Sequence, residues 1–267
     1  EGKYLNIGFN TSIIKSNESG SNAGEKPNKD VSPPKTTYES SYKSTNPFTS
    51  VVHSGIGEAM TKLENQNNAN QNFDKMFNEH PINNDNSKSK VMVYDKNTEQ
   101  HVDTECHRWH KSYMHTPKFD STIKKSYMFS GEQRNEIGEE LPDIFKPYFE
   151  AVKKETDTIF NQVVINWYYK DHDYIPMHSD WTDGLVKDST IAVLTFNEFV
   201  NEDDINLRTF SMVPRDDSIV KGIKLSIPLR HGLLISMCGD CQKTHRHGVD
   251  QVNSNSRRIS MTFRNYK

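Results

Sequence analysis

Residues 258–264 read RISMTFR, and the fold turns on how these seven residues are taken. In an extended chain successive side chains point to opposite sides, so Arg258, Ser260, Thr262 and Arg264 share one face and Ile259, Met261 and Phe263 share the other. One face is oily and the other carries two guanidiniums. Two readings stand side by side. The segment is an amphipathic edge strand with solvated arginines, or a strand whose arginine face grips a dicarboxylate through paired hydrogen bonds.

Working back from this strand, more of the same kind appear: QVVINWYY (162–169), YIPMHSD (174–180), STIAVLTFN (189–197), LRTFSMV (207–213), IKLSIPL (223–229) and GLLISMC (232–238). Short strands in series, separated by turn-rich segments, argue for an antiparallel sandwich or jelly roll and against alternating βαβ units. LPDIFKPYFEAVKKETDTIF (141–160) sets Ile144, Phe145, Tyr148, Phe149, Val152 and Ile159 near helical spacing and predicts a flanking helix. KVMVYD (90–95) leads into a polar, His-rich stretch that reads as irregular or edge structure.

Upstream the character changes. Residues 1–88 are crowded with Asn, Ser, Lys and Pro, as in LENQNNANQNF, and such composition buries too little apolar surface to offset its ordering entropy. The expected division is a low-complexity, mostly disordered leader over 1–88 and a packed, mainly β domain over 89–267. A chain that starts at Glu1 also reads as a processed product or a piece of something longer. The net charge of −3 supplies no global basic field, which argues against tight nonspecific binding of nucleic acid. Three cysteines make no disulfide framework and point to a reducing compartment such as the cytoplasm. No apolar run approaches the length of a membrane span.

Three stretches carry chemistry. In HSD, His178 and Asp180 fall on the same face of a strand, an imidazole beside a carboxylate, although such a pair at a strand end is also ordinary surface. His247 lies 67 residues beyond Asp180. Two histidines and one carboxylate with open positions form the facial triad of non-heme iron(II) oxygenases. In CGDCQKTHRHGV (238–249), Cys238, Cys241, His245 and His247 could instead close a small zinc knuckle, and a jelly roll holding structural zinc would be a noncatalytic binding module. In NWY, Asn166 and Tyr168 point the same way and offer an amide and a phenol to a polar ligand.

The order NWYY, HSD, HGV, RRISMTFR, with YMFSGE at 127–132, resembles the AlkB-type iron(II)- and 2-oxoglutarate-dependent dioxygenases from about residue 125 to 265. It is also similar to the AlkB domains within plant RNA virus polyproteins. The resemblance implies a double-stranded β-helix, Fe(II) as cofactor and 2-oxoglutarate as cosubstrate. It makes His178, Asp180 and His247 the iron ligands, with His245 the rival for the last place. Asn166, Tyr168, Arg258, Ser260 and Arg264 would bind 2-oxoglutarate. Tyr127 and Phe129 would face the substrate base, with Trp181 and Asp183 beside it. Relatives often have Asn where Ser260 stands and an acid where Thr182 stands, which leaves the base undefined. The implied reaction is oxidative demethylation of N-alkylated bases in RNA or single-stranded DNA, by a monomeric catalytic domain in the cytoplasm, the host's if viral. Lys124, Lys125, Arg134, Lys243 and Arg246 are candidate phosphate contacts. The alternative within the same chemistry is hydroxylation of a protein or small molecule.

Overall fold

A computed structural model of the chain describes residues 4–7, 50–53, 69–81, 90–95, 97–115, 139–169, 173–198, 206–215, 225–238 and 240–267. The base-facing candidates Tyr127 and Phe129, and the basic candidates Lys124, Lys125 and Arg134, lie outside these residues. The strands in chain order are β1 (Tyr4–Ile7), β2 (Ser50–His53), β3 (Lys90–Asp95), β4 (Gln100–Glu105), β5 (Trp109–Met114), β6 (Glu139–Glu140), β7 (Gln162–Tyr168), β8 (Ile175–His178), β9 (Ile191–Asn197), β10 (Thr209–Pro214), β11 (Leu225–Pro228), β12 (Leu234–Met237), β13 (His245–Val249) and β14 (Arg258–Arg264). The helices are α1 (Ala69–Asn78), α2 (Lys146–Thr156) and the one-turn α3 (Cys241–Thr244).

From β7 to β14 the chain passes back and forth between two sheets, with β10 and β11 an antiparallel pair inside the smaller one. The larger runs β1-β2-β12-β9-β14-β7-β5-β6 and the smaller β11-β10-β13-β8, while β3 and β4 form a separate hairpin. This is the double-stranded β-helix: apart from the β10–β11 pair, successive strands cross from one sheet to the other and enclose an interior.

Strand alternation divides the core in two. On the outer face of the large sheet Val163, Ile165, Trp167, Ile259, Met261 and Phe263 pack beneath α1 and α2. On its inner face Val164 and Tyr168 meet Phe210 and Met212 of the small sheet. The position of β14 decides between the two readings of RISMTFR. It pairs with β7 on one side and β9 on the other, so it is a central strand. Its arginine face points into the barrel, where Arg258 is 1% and Arg264 4% exposed. Solvated arginines on an edge are thereby excluded.

The helix read over 141–160 is shorter than its apolar spacing suggests. A 3-10 turn at Asp143–Phe145 leads into α2, with a proline in its first turn, where a missing N–H is tolerated. Asp157, left-handed at φ 47°, ends it. Phe145, Tyr148, Phe149 and Val152 are buried as expected, but Ile159 lies past the cap and is 70% exposed.

α1 falls on the leader side of the boundary drawn at residue 89. Its Phe73, Met76 and Phe77 are buried in the outer core, and the Met76 carbonyl accepts a hydrogen bond from Trp167 Nε1 at 3.0 Å. Residues spaced i, i+3 and i+4 form one apolar stripe on a helix, and here that stripe covers the sheet. Further upstream, β2 extends the large sheet by pairing with β12.

Candidate active site

β8 and β13 lie side by side in the small sheet, with His178 directly opposite His247. Asp180 follows two residues after His178, where the chain leaves the strand. The ligand atoms of these three residues all lie within 4.8 Å of one another. His178 Nε2 is 3.3 Å and His247 Nε2 3.8 Å from Asp180 Oδ1. Neighbouring ligands of an octahedral ion with bonds near 2.1 Å sit about 3 Å apart, so the three donors suit one face of such an ion.

Their surroundings prepare the donors. His178 Nδ1 lies 2.9 Å from the Pro176 carbonyl oxygen, and donating its proton there leaves Nε2 as the ligand nitrogen. His247 is buried, with Phe210 stacked on its ring at 5.7 Å. Burial and the neighbouring His178, opposed by Asp180, pull its pKa to about 3, so the imidazole is neutral at physiological pH. Burial alone would push Asp180 upward, but the Arg264 guanidinium, then the His178 hydrogen bond, hold it well below the usual carboxylate range. Arg264 donates to Asp180 Oδ2 through Nη2 at 2.7 Å and Nε at 3.3 Å. That leaves Oδ1 facing the histidines.

The loop carrying Asp180 is pinned at two points. Ser179 Oγ donates to the His245 carbonyl at 2.7 Å, and the Asp180 amide donates to Gln242 Oε1 at 2.9 Å. Gln242 went unnoticed in the sequence. The bond spans 62 residues, and a glutamine between Cys241 and Lys243 gives no local signal of it.

A narrow pocket runs inward from the triad, lined among others by Asn166, Tyr168, Arg258, Ser260, Thr262 and Arg264. Register explains the convergence: Tyr168 pairs with Arg258 and Asn166 with Ser260, so all four face inward as neighbours. Arg258 Nη2 donates to Thr195 Oγ1 at 2.9 Å, and its guanidinium lies 4.7 Å above the Tyr168 ring. Arg258 Nε and Nη1 and the Tyr168 hydroxyl are buried without a hydrogen-bond partner. Burial lowers the Arg258 pKa, with Tyr168 opposing. Buried donors without a partner are costly, and the two on Arg258 suit an anionic acceptor. Arg264 differs from its expected place on the pocket wall in one respect: its firmest contact is the carboxylate of Asp180.

Trp181 is 39% exposed, and Asp183 is also exposed. Asp183 and Thr182 border a second cavity of about 260 Å³ that lies behind the Asp180 loop and does not include the triad. Lys243 pairs with Asp240 at 2.7 Å. The zinc knuckle does not assemble. Cys241 is buried against Met212 at 3.7 Å, and His178, Asp180 and His247 are the only such ligand cluster among the described residues.

Residues 57–264 match the family described as the 2OG-Fe(II) oxygenase superfamily. The chain belongs to that superfamily. Its cofactor is Fe(II) and its cosubstrate 2-oxoglutarate, and the donor set and the two spare donors of the buried Arg258 fit both. The rat protein named alpha-ketoglutarate-dependent dioxygenase alkB homolog 3 is 31% identical over 121 residues, covering 42% of this chain and 38% of that protein. The human protein of the same name is 31% identical over the same length, covering 39% of it. The AlkB-type resemblance therefore stands, and the chain matches less than half the length of these relatives. A Burkholderia pseudomallei oxidoreductase of the 2OG-Fe(II) oxygenase family aligns at TM-score 0.40 with 16% identity, over 72% of this chain and 76% of that one. No helix among the described residues is long and apolar enough to cross a membrane.

Proposed function

We propose that this dioxygenase removes N-methyl groups from bases of RNA or single-stranded DNA. The observation that carries the reading is the meeting of the His178, Asp180 and His247 donors within 4.8 Å, beside a pocket into which the buried Arg258 brings two donors without a protein partner. The choice of a methylated base rests on the AlkB-type resemblance.

Bound Fe(II) would let dioxygen oxidise 2-oxoglutarate to succinate and carbon dioxide while hydroxylating a methyl group, which then leaves nitrogen as formaldehyde. The protein's own part is positional. His178 and His247 present neutral nitrogens, and Asp180 presents Oδ1 because Arg264 occupies Oδ2. Arg258 and Tyr168 would hold the far carboxylate of 2-oxoglutarate, with Asn166 and Ser260 next to them in the same register. Val164, Val193 and Phe210 keep water from the cosubstrate. Half-exposed His178, with Trp181 beyond it, faces the side from which a base would enter. A base must leave its stack to arrive there, which costs less from a single strand than from a duplex. The family resemblance gives the base contact to Tyr127 and Phe129, which lie outside the described residues. We take the catalytic unit to include α1, whose apolar stripe completes the core.

The test is anaerobic loading with Fe(II), then exposure to oxygen with 2-oxoglutarate and oligonucleotides carrying 1-methyladenine or 3-methylcytosine. Loss of the methyl mass, abolished in Asp180→Ala, is expected. Succinate formation that these oligonucleotides fail to stimulate would transfer the reading to a protein or small-molecule hydroxylase.

A further inference from the structure

We infer that Arg108 is a positioning residue for the cosubstrate, fixing the amide of Asn166 so that its NH2 group faces the pocket; this rests on reading that pocket as the 2-oxoglutarate site. Arg108 lies in the turn between β4 and β5 and is 3% exposed. Its Nε donates to Asn166 Oδ1 at 2.8 Å. A guanidinium has donors only, so the atom facing it must be the amide oxygen. Asn166 Nδ2 then turns the other way and lies 3.5 Å from Ser260 Oγ, on the row that ends at Arg258. A carboxylate only accepts hydrogen bonds. An unrestrained Asn166 could rotate its amide and offer a carbonyl oxygen to it, and Arg108 removes that option.

The guanidinium is itself held in place. Arg108 Nη1 donates to Cys106 Sγ at 3.2 Å, and that sulfur lies 3.6 Å from His110 Nδ1. Burial, then Arg108, pulls His110 to about 3, so it adds no competing cation. Charge points the same way. The pocket lining holds three guanidiniums, Arg108, Arg258 and Arg264, against one carboxylate, Asp180. The balance of two positive charges, before any metal is counted, matches a dicarboxylate better than a monoanion.

The experiment is calorimetric titration of 2-oxoglutarate into the full chain loaded with Mn(II) under argon, where nothing turns over. The proteins are wild type, Arg108→Met, Arg108→Lys, Asn166→Ala and the double variant Arg108→Met/Asn166→Ala. Loss of one charge-assisted orientation should weaken 2-oxoglutarate about tenfold in Arg108→Met. Arg108→Lys should recover part of that, because it restores a donor without the planar fork. The double variant should lose clearly less than the sum of the two single losses, since Arg108 acts chiefly through that amide. Mn(II) affinity should not move, because the hydrogen bonds of Arg108 to Asn166 and Cys106 do not run through the donor atoms of the triad's own ion pairs. Additive losses, wild-type affinity in Arg108→Met, or failure of both Arg108 variants to fold would overturn the inference. A wild-type protein that binds Mn(II) but no 2-oxoglutarate would sink the reading of the pocket itself, and this inference with it. Unchanged binding in the variants of a competent wild type would sink only the role of Arg108.

Discussion

Replacing Arg258 with Met separates binding from folding more cleanly than any other change in the pocket. The guanidinium is 1% exposed and spends one nitrogen on Thr195 at 2.9 Å, leaving Nε and Nη1 without partners. Two hydrogen bonds from a charged donor to a carboxylate are each worth about 1.5–3 kcal/mol, about 3–6 kcal/mol together. At about 1.4 kcal/mol per decade, Arg258→Met should weaken 2-oxoglutarate by about 10²- to 10⁴-fold. Stability should respond in the opposite sense or hardly at all. A buried guanidinium without a counter-ion pays its desolvation cost uncompensated, and an apolar side chain of similar volume removes that cost. The lost Thr195 bond and the contact with the Tyr168 ring offset part of the gain. Urea unfolding of the ligand-free variant should therefore stay within about 1 kcal/mol of wild type, or rise. Titration of 2-oxoglutarate into the Mn(II)-loaded proteins gives the other number. An affinity loss below tenfold, or a stability loss above about 3 kcal/mol, would refute the reasoning by making Arg258 a structural residue.

Three further outcomes follow from particular contacts. A Cβ on Gly248 would sit 2.7 Å from the Ile175 carbonyl oxygen and 3.0 Å from Met177 Sδ, so Gly248→Ala should push β13 from β8, part His247 from His178 and weaken Mn(II) binding at least tenfold, read by metal titration. His110 and His247 are both held near 3 against an ordinary 6.5, so between those values the unfolded chain takes up protons the folded chain refuses. Metal-free stability should then fall with pH by about 1.4 kcal/mol per unit for each histidine, and His110→Asn should flatten the slope measured by urea unfolding at pH 7, 6 and 5. Asp180, whose pKa is depressed, adds its own loss only at lower pH, as the solution is acidified through its folded value. Removing residues 1–88 deletes the buried Phe73, Met76 and Phe77, each worth about 2–5 kcal/mol of core, so residues 89–267 alone should bind the hydrophobic dye ANS and melt without cooperativity where the full chain does not.

The legible part of this protein is the part with a short period. β14 announces itself because its polar and apolar residues alternate, and the same alternation assigns its arginines to one face and its oily residues to the other. What alternation does not say is which face is inside. Both are, because the helices cover one and the barrel encloses the other. His178 and Asp180 were visible as a pair two residues apart, whereas β13 was not, since HRHGV is too polar to look like a buried strand. α1 hid in its composition: three apolar residues among asparagines average to a disordered stretch, although the spacing of Phe73, Met76 and Phe77 carries the helical stripe. Arg108 and Gln242 depend on bonds across 58 and 62 residues, and no local pattern predicts contacts that only the closed barrel makes.

The central claim is that three side chains from two elements share one ion. Crystals grown with Mn(II) under argon, measured at the manganese absorption edge, test it directly. The account predicts a single anomalous peak bonded to Nε2 of His178, Nε2 of His247 and Oδ1 of Asp180, absent in Asp180→Ala and retained in His245→Ala. A peak held by His245, or by Cys238 and Cys241, or none at all, would contradict it.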